Sequence, residues 1–172
     1  MDVKIQISIK WNKPTATMIS QTSEYALRAI VFLGNEGGVP RTTAEISAAT
    51  KAPSSYLSKV MKRLCREGIV GSRRGLHGGF TLAKAPAELA VLDVINAVDP
   101  IQRIHECPLG NEAHGKDLCT LHRTIDETLA RAEEAFRRLT VAALLGEQRG
   151  RRSCPFPTGC GKRGTAACSA SH

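Results

Sequence analysis

Residues 105–122 read HECPLGNEAHGKDLCTLH and put two cysteines and three histidines into one short polar stretch. Thiolate and imidazole are the donors that zinc and iron–sulphur centres take, and a cysteine pair can also cycle between thiols and a disulfide. The spacing Cys107-x6-His114-x4-Cys119-x2-His122 suits a tetrahedral Cys2His2 ion, although it is looser than a zinc finger. From the residues alone three chemistries stand open: a metal or cluster held by cysteine and histidine, a thiol switch, and an inert loop. His105 reads as a surface residue.

The elements that would position this stretch follow from composition and patterning. At 172 residues the chain has room for one domain of ordinary size with extensions. Hydrophobic residues make up 42% and aromatics only 4%, so the core must be built from aliphatic side chains, which favours helices. No apolar run is long enough to span a bilayer, and residues 1–17 lack the apolar centre of a secretory signal. A cytoplasmic protein without a membrane partner is expected. Its six cysteines then read as reduced thiols or metal ligands rather than structural disulfides.

The formal charge of +8 is concentrated. Between Arg41 and Lys84 lie nine Lys/Arg (Arg41, Lys51, Lys59, Lys62, Arg63, Arg66, Arg73, Arg74, Lys84) and two Glu (Glu45, Glu67), a local excess of +7. A localised basic face is the footprint of a polyanion partner.

The pattern within that stretch is ordered. A first helix is predicted over Ser20–Leu33, with Tyr25, Ala29, Phe32 and Leu33 on one stripe, ending in the breaker Gly34–Gly38. Thr42-Thr43-Ala44-Glu45 has the spacing of a capping box and opens a short helix to about Ala49. Ala52-Pro53 interrupts, and Ser54 or Ser55 is expected to cap a third helix closed by Gly68. On that third helix Leu57, Val60, Met61 and Leu64 face inward. Ser55, Ser58, Lys59, Lys62, Arg63 and Arg66 face outward. Two short β-segments over Ile69–Leu82 then flank a tip rich in glycine and arginine.

Short helix, turn, basic helix and basic hairpin define a winged helix-turn-helix and imply double-stranded DNA as the partner. The reading assigns Ser55, Tyr56, Ser58, Lys59, Lys62 and Arg63 to the major groove, and Arg73 and Arg74 to the minor groove. Thr42 and Ser54, at the starts of the two helices, and His77, at the wing tip, complete the DNA-facing set. Cys65 reads as a small core residue.

Beyond the linker Ala85-Pro86, residues 89–100 read as a short amphipathic helix. Leu121–Leu145 reads as one long helix, on the order of 37 Å at ~1.5 Å per residue. Its apolar positions Ile125, Leu129, Ala132, Phe136, Leu139 and Ala143 step by four and three, as in a coiled-coil seam. Such a helix calls for a partner, and a homodimer spanning two half-sites is the natural one. The tail, residues 147–172, is rich in Gly, Pro, Ser and Arg and reads as disordered, with Cys154, Cys160 and Cys168 a weak metal motif. No nucleophile–base pair or phosphate-cradling loop appears, so an enzyme is not expected.

Three motifs carry a resemblance to a known family. These are Met18-Ile19-Ser20-Gln21-Thr22-Ser23-Glu24-Tyr25-Ala26-Leu27-Arg28, Arg74-Gly75-Leu76-His77-Gly78-Gly79-Phe80 and Cys107-Pro108-Leu109-Gly110. They are similar to the amino terminus, the wing and the start of the sensor loop in winged-helix transcriptional regulators of the Rrf-two family, the IscR and NsrR type. The resemblance runs from Met18 to about Leu145. It implies a mainly α fold: an extension over 1–17, a winged domain over 18–100, a sensor loop over 101–122 and a dimerisation helix over 121–146.

The resemblance further implies an iron–sulphur cluster, of the 2Fe–2S rather than the 4Fe–4S type. Its ligands would be Cys107, Cys119, His122 and Glu24, with His114 as the alternative to one of them. The family's middle cysteine falls at Ala113, so one ligand of the usual set is missing. The function implied is a dimeric repressor-type regulator responsive to redox state, nitric oxide or iron–sulphur status. The alternative is a DNA-binding regulator without a cluster, acting as a thiol switch or as an interaction module that senses nothing.

Overall fold

A computed structural model describes residues 19–75, 78–108 and 118–150, in the order α1 (Gln21–Asn35), α2 (Thr43–Thr50), α3 (Ser54–Arg66), β1 (Val70–Arg73), β2 (Gly79–Leu82), α4 (Val91–Val98), α5 (Thr120–Arg138) and α6 (Val141–Gly150). The expectations for residues 1–17, His77, His114 and the tail past Gly150 lie outside the described residues.

Helix α1 starts where the sequence places it, because the Ser20 hydroxyl accepts from the Ser23 N–H at 3.2 Å. The capping box of α2 is complete. Thr42 Oγ1 accepts from the Glu45 N–H, and the Glu45 carboxylate accepts from the Thr42 N–H at 2.8 Å. The expected serine cap of α3 is absent: Pro53 occupies the N-cap position and no side chain caps the N–H groups of the first turn. Ser54 and Ser55 are instead helical residues, with their side chains exposed. At the other end, Gly68 (φ +65°) makes the left-handed turn required there. The Gly68 N–H reaches the Cys65 carbonyl and the Ile69 N–H the Leu64 carbonyl, at 3.1 and 3.0 Å.

The predicted inward row of α3 is correct. Leu57, Val60, Met61 and Leu64 are all essentially inaccessible and join Ala26, Ala29, Ile30 and Leu33 of α1 in one core. The wing is a two-stranded antiparallel ribbon in which Val70 pairs with Leu82 and Arg73 with Gly79. It is fastened to the helices by Arg41 and Phe80, which exchange backbone hydrogen bonds at 3.0 and 2.8 Å. Gly79 permits that approach, since a Cβ there would lie 2.6 Å from the Arg41 carbonyl oxygen.

The long helix expected over Leu121–Leu145 is two helices. Leu139 is extended (φ −86°, ψ 118°), and the Thr140 hydroxyl accepts from the Ala143 N–H at 3.2 Å, capping α6. The competing interaction is a backbone seam. The Val91 N–H donates to the Leu139 carbonyl, Val141 to Leu89 and Ala142 to Pro86, at 2.8–2.9 Å. This seam breaks the seam of apolar residues read from the sequence after Phe136, and α6 turns back onto α1. The remaining helix α5 has 19 residues, ~28 Å at ~1.5 Å per residue, and buries none of them fully. Helix α6 also continues through Gly150, three residues past the expected start of the tail at 147.

Truncating the inward row should destabilise far more than trimming the outward one. Leu64→Ala is expected to cost about 2–5 kcal/mol in chemical denaturation, whereas Lys62→Ala, on the exposed side of the same helix, should stay within about 0.5 kcal/mol.

Candidate metal centre and nucleic-acid interface

The segment after α4 runs back along α5 and brings three of the expected ligands together. Cys107 Sγ lies 3.6 Å and Cys119 Sγ 3.1 Å from His122 Nδ1, and the three donor atoms all fall within 4.8 Å of one another. Cys119 is the N-cap residue of α5 and His122 sits in its first turn, so a helix start fixes two donors. The third is delivered by the incoming segment. All three side chains are half-buried. In a tetrahedral centre with arms of ~2.3 Å to sulphur and ~2.05 Å to nitrogen, the S···N edge is about 3.5 Å. Two thiols and an imidazole at this spacing fit three corners of such a centre.

Glu24 is not among the gathered donors. It stands in the first turn of α1, where a carboxylate complements the helix terminus, and ion-pairs with Arg28. The Arg28 guanidinium also lies 5.9 Å from the centre of the Tyr25 ring.

Sequence reasoning passed over the group that holds the Cys107 segment in place. Arg103 grips Asp126 with both Nε and Nη2, each at 2.6 Å, and reaches Glu133 through Nη1 at 3.2 Å. The Ile104 N–H adds a third bond to Asp126 at 2.9 Å. The Arg103 guanidinium and then the Ile104 N–H hold the Asp126 carboxyl down to about 2, and the bonds to Asp126 and then Glu133 push Arg103 up. Partners 23 and 30 residues apart leave no local spacing to read. The only hint was a lone arginine between Ile101 and Ile104.

The basic face is assembled as expected, with exceptions in detail. Ser54, Ser55, Tyr56, Lys59, Lys62 and Arg66 are exposed along α3, and Arg73 and Arg74 are exposed at the end of β1 and just past it. Ser58 is half-buried and donates to the Ser54 carbonyl at 3.0 Å. Tyr56 bonds through its hydroxyl to Thr22 and stacks edge-on against Tyr25 with centroids 5.9 Å apart. The Thr42 hydroxyl is engaged in its capping box. Arg63 turns its guanidinium to the carbonyl of Val98, the last residue of α4. Cys65 is part of the packing between α3 and the wing, and burial pushes its thiol up.

A basic helix, a paired wing and a cysteine–histidine pocket define a winged-helix protein of the transcription-regulator class. The family model described as "Rrf2: Iron-dependent Transcriptional regulator" matches residues 19–147, and the chain belongs to this family of transcriptional regulators. It is 33% identical over 142 residues to the HTH-type transcriptional regulator NsrR of Geobacillus kaustophilus, a match covering 78% of this chain and 94% of that one. It is 32% identical over 133 residues to the regulator IscR of Serratia proteamaculans, covering 76% and 80%. Among solved structures, T. potens IscR superposes with a TM-score of 0.65 at 20% identity, over 81% of this chain and 94% of that one. CymR, the global cysteine regulator of B. subtilis, superposes with a TM-score of 0.62 at 21% identity, over 76% and 98%. These relatives are regulators rather than enzymes, and no helix among the described residues is long and apolar enough to cross a membrane.

The depressed Asp126 acidity predicts a pH effect with a definite sign. A carboxyl held at about 2 in the folded chain and near 3.9 when unfolded stabilises fully above about pH 4. That stabilisation is lost as pH falls from about 4 to about 2. Thermal melting across this window should fall more steeply for the native protein than for Asp126→Asn.

Proposed function

We propose that the protein is a dimeric, sequence-specific DNA-binding regulator whose Cys107–Cys119–His122 pocket makes it responsive to redox, nitric oxide or iron–sulphur status. The observation that carries this reading is the convergence of two thiols and one imidazole from segments twelve and more residues apart. A pocket of that donor chemistry in a family containing IscR and NsrR favours an iron–sulphur cluster, with 2Fe–2S the better match to mixed cysteine and histidine ligands. When bound, the cluster supplies redox chemistry, while the chain's own residues fix the donors and tie them to the reading head. The fourth ligand falls to Glu24, contributed across a dimer, or to His114.

On the DNA side, Ser54, Ser55, Tyr56, Lys59 and Lys62 present hydrogen-bonding and cationic groups to the major groove. Arg73 and Arg74 present guanidinium to the minor groove. Thr42, Ser58 and Arg63, which also hold intramolecular bonds, and His77, which follows Arg74 closely in the sequence, complete the proposed DNA-facing set. Dimerisation through α5 is supported by its open apolar side, where Leu121 is 63% and Ile125 40% exposed. A route for coupling exists on the same chain. Arg63 of α3 is bonded to Val98, from which the segment leading to Cys107 departs. A change at the pocket that moves this segment would therefore bias the placement of α3.

The S···N distances of 3.1 and 3.6 Å also favour a second reading, a single tetrahedral ion such as zinc. Iron, sulphide and zinc analysis of anaerobically purified protein, with its absorption spectrum, separates the two. Brown protein with iron and sulphide, bleached by air or nitric oxide and colourless in Cys107→Ala, is the expected result. One zinc per chain and no sulphide would support the second reading. Metal-free protein would defeat both.

For DNA, Arg74→Ala and Lys59→Ala should each weaken binding in fluorescence anisotropy and lower the salt slope by about one. Unchanged slopes would remove those residues from the interface.

A further inference from the structure

The metal pocket has two donors on a helix and a third on a segment with no regular structure, so something must hold Cys107 in register. We propose that Arg103 and Asp126 are a positioning pair for the Cys107–Cys119–His122 centre, a role that rests on the metal-binding reading above. Asp126 lies one helical turn beyond His122 on α5, and Arg103 lies four residues before Cys107. Closing the Arg103–Asp126 fork therefore lays the segment along α5 with Cys107 beside His122.

Among the described residues, the hydrogen bonds that tie 101–108 to α5 come from Arg103, from the Ile104 N–H and from the Cys107–His122 contact itself. The first two converge on one carboxylate. Two parallel N–H···O bonds at 2.6 Å fix direction as well as distance, which a lysine ammonium in the same place would not do. Side-chain exposures of 28% for Arg103, 16% for Asp126 and 19% for Glu133 leave the pair partly shielded from competing water. The Ile104 N–H bond to Asp126 Oδ1 makes the clamp act on the backbone as well as on a side chain. The register of Cys107, three residues on, follows from it.

Outer residues that orient metal ligands typically change metal affinity by about 10–100-fold when removed. The test uses the full-length reduced chain under anaerobic conditions and cobalt(II) alone as the probe, read by the thiolate-to-cobalt charge-transfer absorption. Native protein is expected to bind cobalt with that band. Arg103→Ala and Asp126→Asn should bind about 10–100-fold more weakly and with an altered band, at unchanged helical circular dichroism. Arg103→Lys, which keeps the charge but loses the fork, should fall between.

Asp126→Asn retains an acceptor for the Ile104 N–H and so carries the test if Arg103→Ala fails to fold. Native protein that binds cobalt, with all three variants within about twofold of it, would overturn the positioning role and leave the metal reading intact. Native protein that takes up no cobalt would overturn the metal reading and the proposal together.

Discussion

The winged domain and α6 are organised around one helix that five other elements cover. Helix α1 packs against α2, α3, α4, α6 and β2, and its Ala26, Ala29 and Ile30 are wholly inaccessible. Alanine at two of those positions lets neighbouring backbones approach closely. Leu57, Met61 and Leu64 from α3 and Val94 and Val98 from α4 fill the space that remains. Because α3 and the helix α4 that leads to the Cys107–Cys119–His122 cluster share this core, neither can shift without disturbing α1. Apolar burial of this kind is the main source of the domain's stability.

Helix α5 is held in a different way. It buries no residue, yet it carries His122 and half of the polar network at the pocket. Its C-terminal end is fixed by the seam between residues 86–91 and 139–142, and its N-terminal half by Arg103 and Ile104 reaching Asp126. Directional polar contacts thus take the place of a core along α5, and they are concentrated where the ligands converge. Elements with few buried apolar contacts are those that open most readily. The cluster mounted on this element is joined through residues 99–106 to Val98, whose carbonyl accepts from Arg63 of α3, and this is the link on which the proposed coupling rests.

The sequence made the winged domain legible because its interactions are local. The Thr42–Glu45 box, the proline after Ala52, Gly68 and the 3.6-residue row on α3 each act within a few residues of themselves. Cys107, Cys119 and His122 were legible by residue type and by family resemblance, and the fold brings them together. What escaped was long-range. The Arg103–Asp126–Glu133 network joins positions 23 and 30 apart. The break at Leu139 is set by hydrogen bonds to residues 86–91, about fifty residues earlier, which override an uninterrupted apolar seam. Arg63 stands on the outward side as expected, and its bond to the Val98 carbonyl, 35 residues away, is a further contact that no local spacing announces. The serine cap of α3 was a local inference that failed, because Pro53 already pre-sets the backbone at that start.

The proposed function requires that occupancy of the Cys107–Cys119–His122 pocket and DNA binding be thermodynamically linked. The most direct measurement is a pair of binding isotherms on one duplex, enriched by the protein from a random pool. Anaerobic full-length protein is titrated as purified and again after its metal has been removed, with metal content measured in both samples. A coupling free energy of 1–3 kcal/mol corresponds to a shift of roughly 5–150-fold in affinity, and a shift in that range is the expected result. Isotherms that superimpose although the metal has gone would show that the pocket and DNA binding are uncoupled.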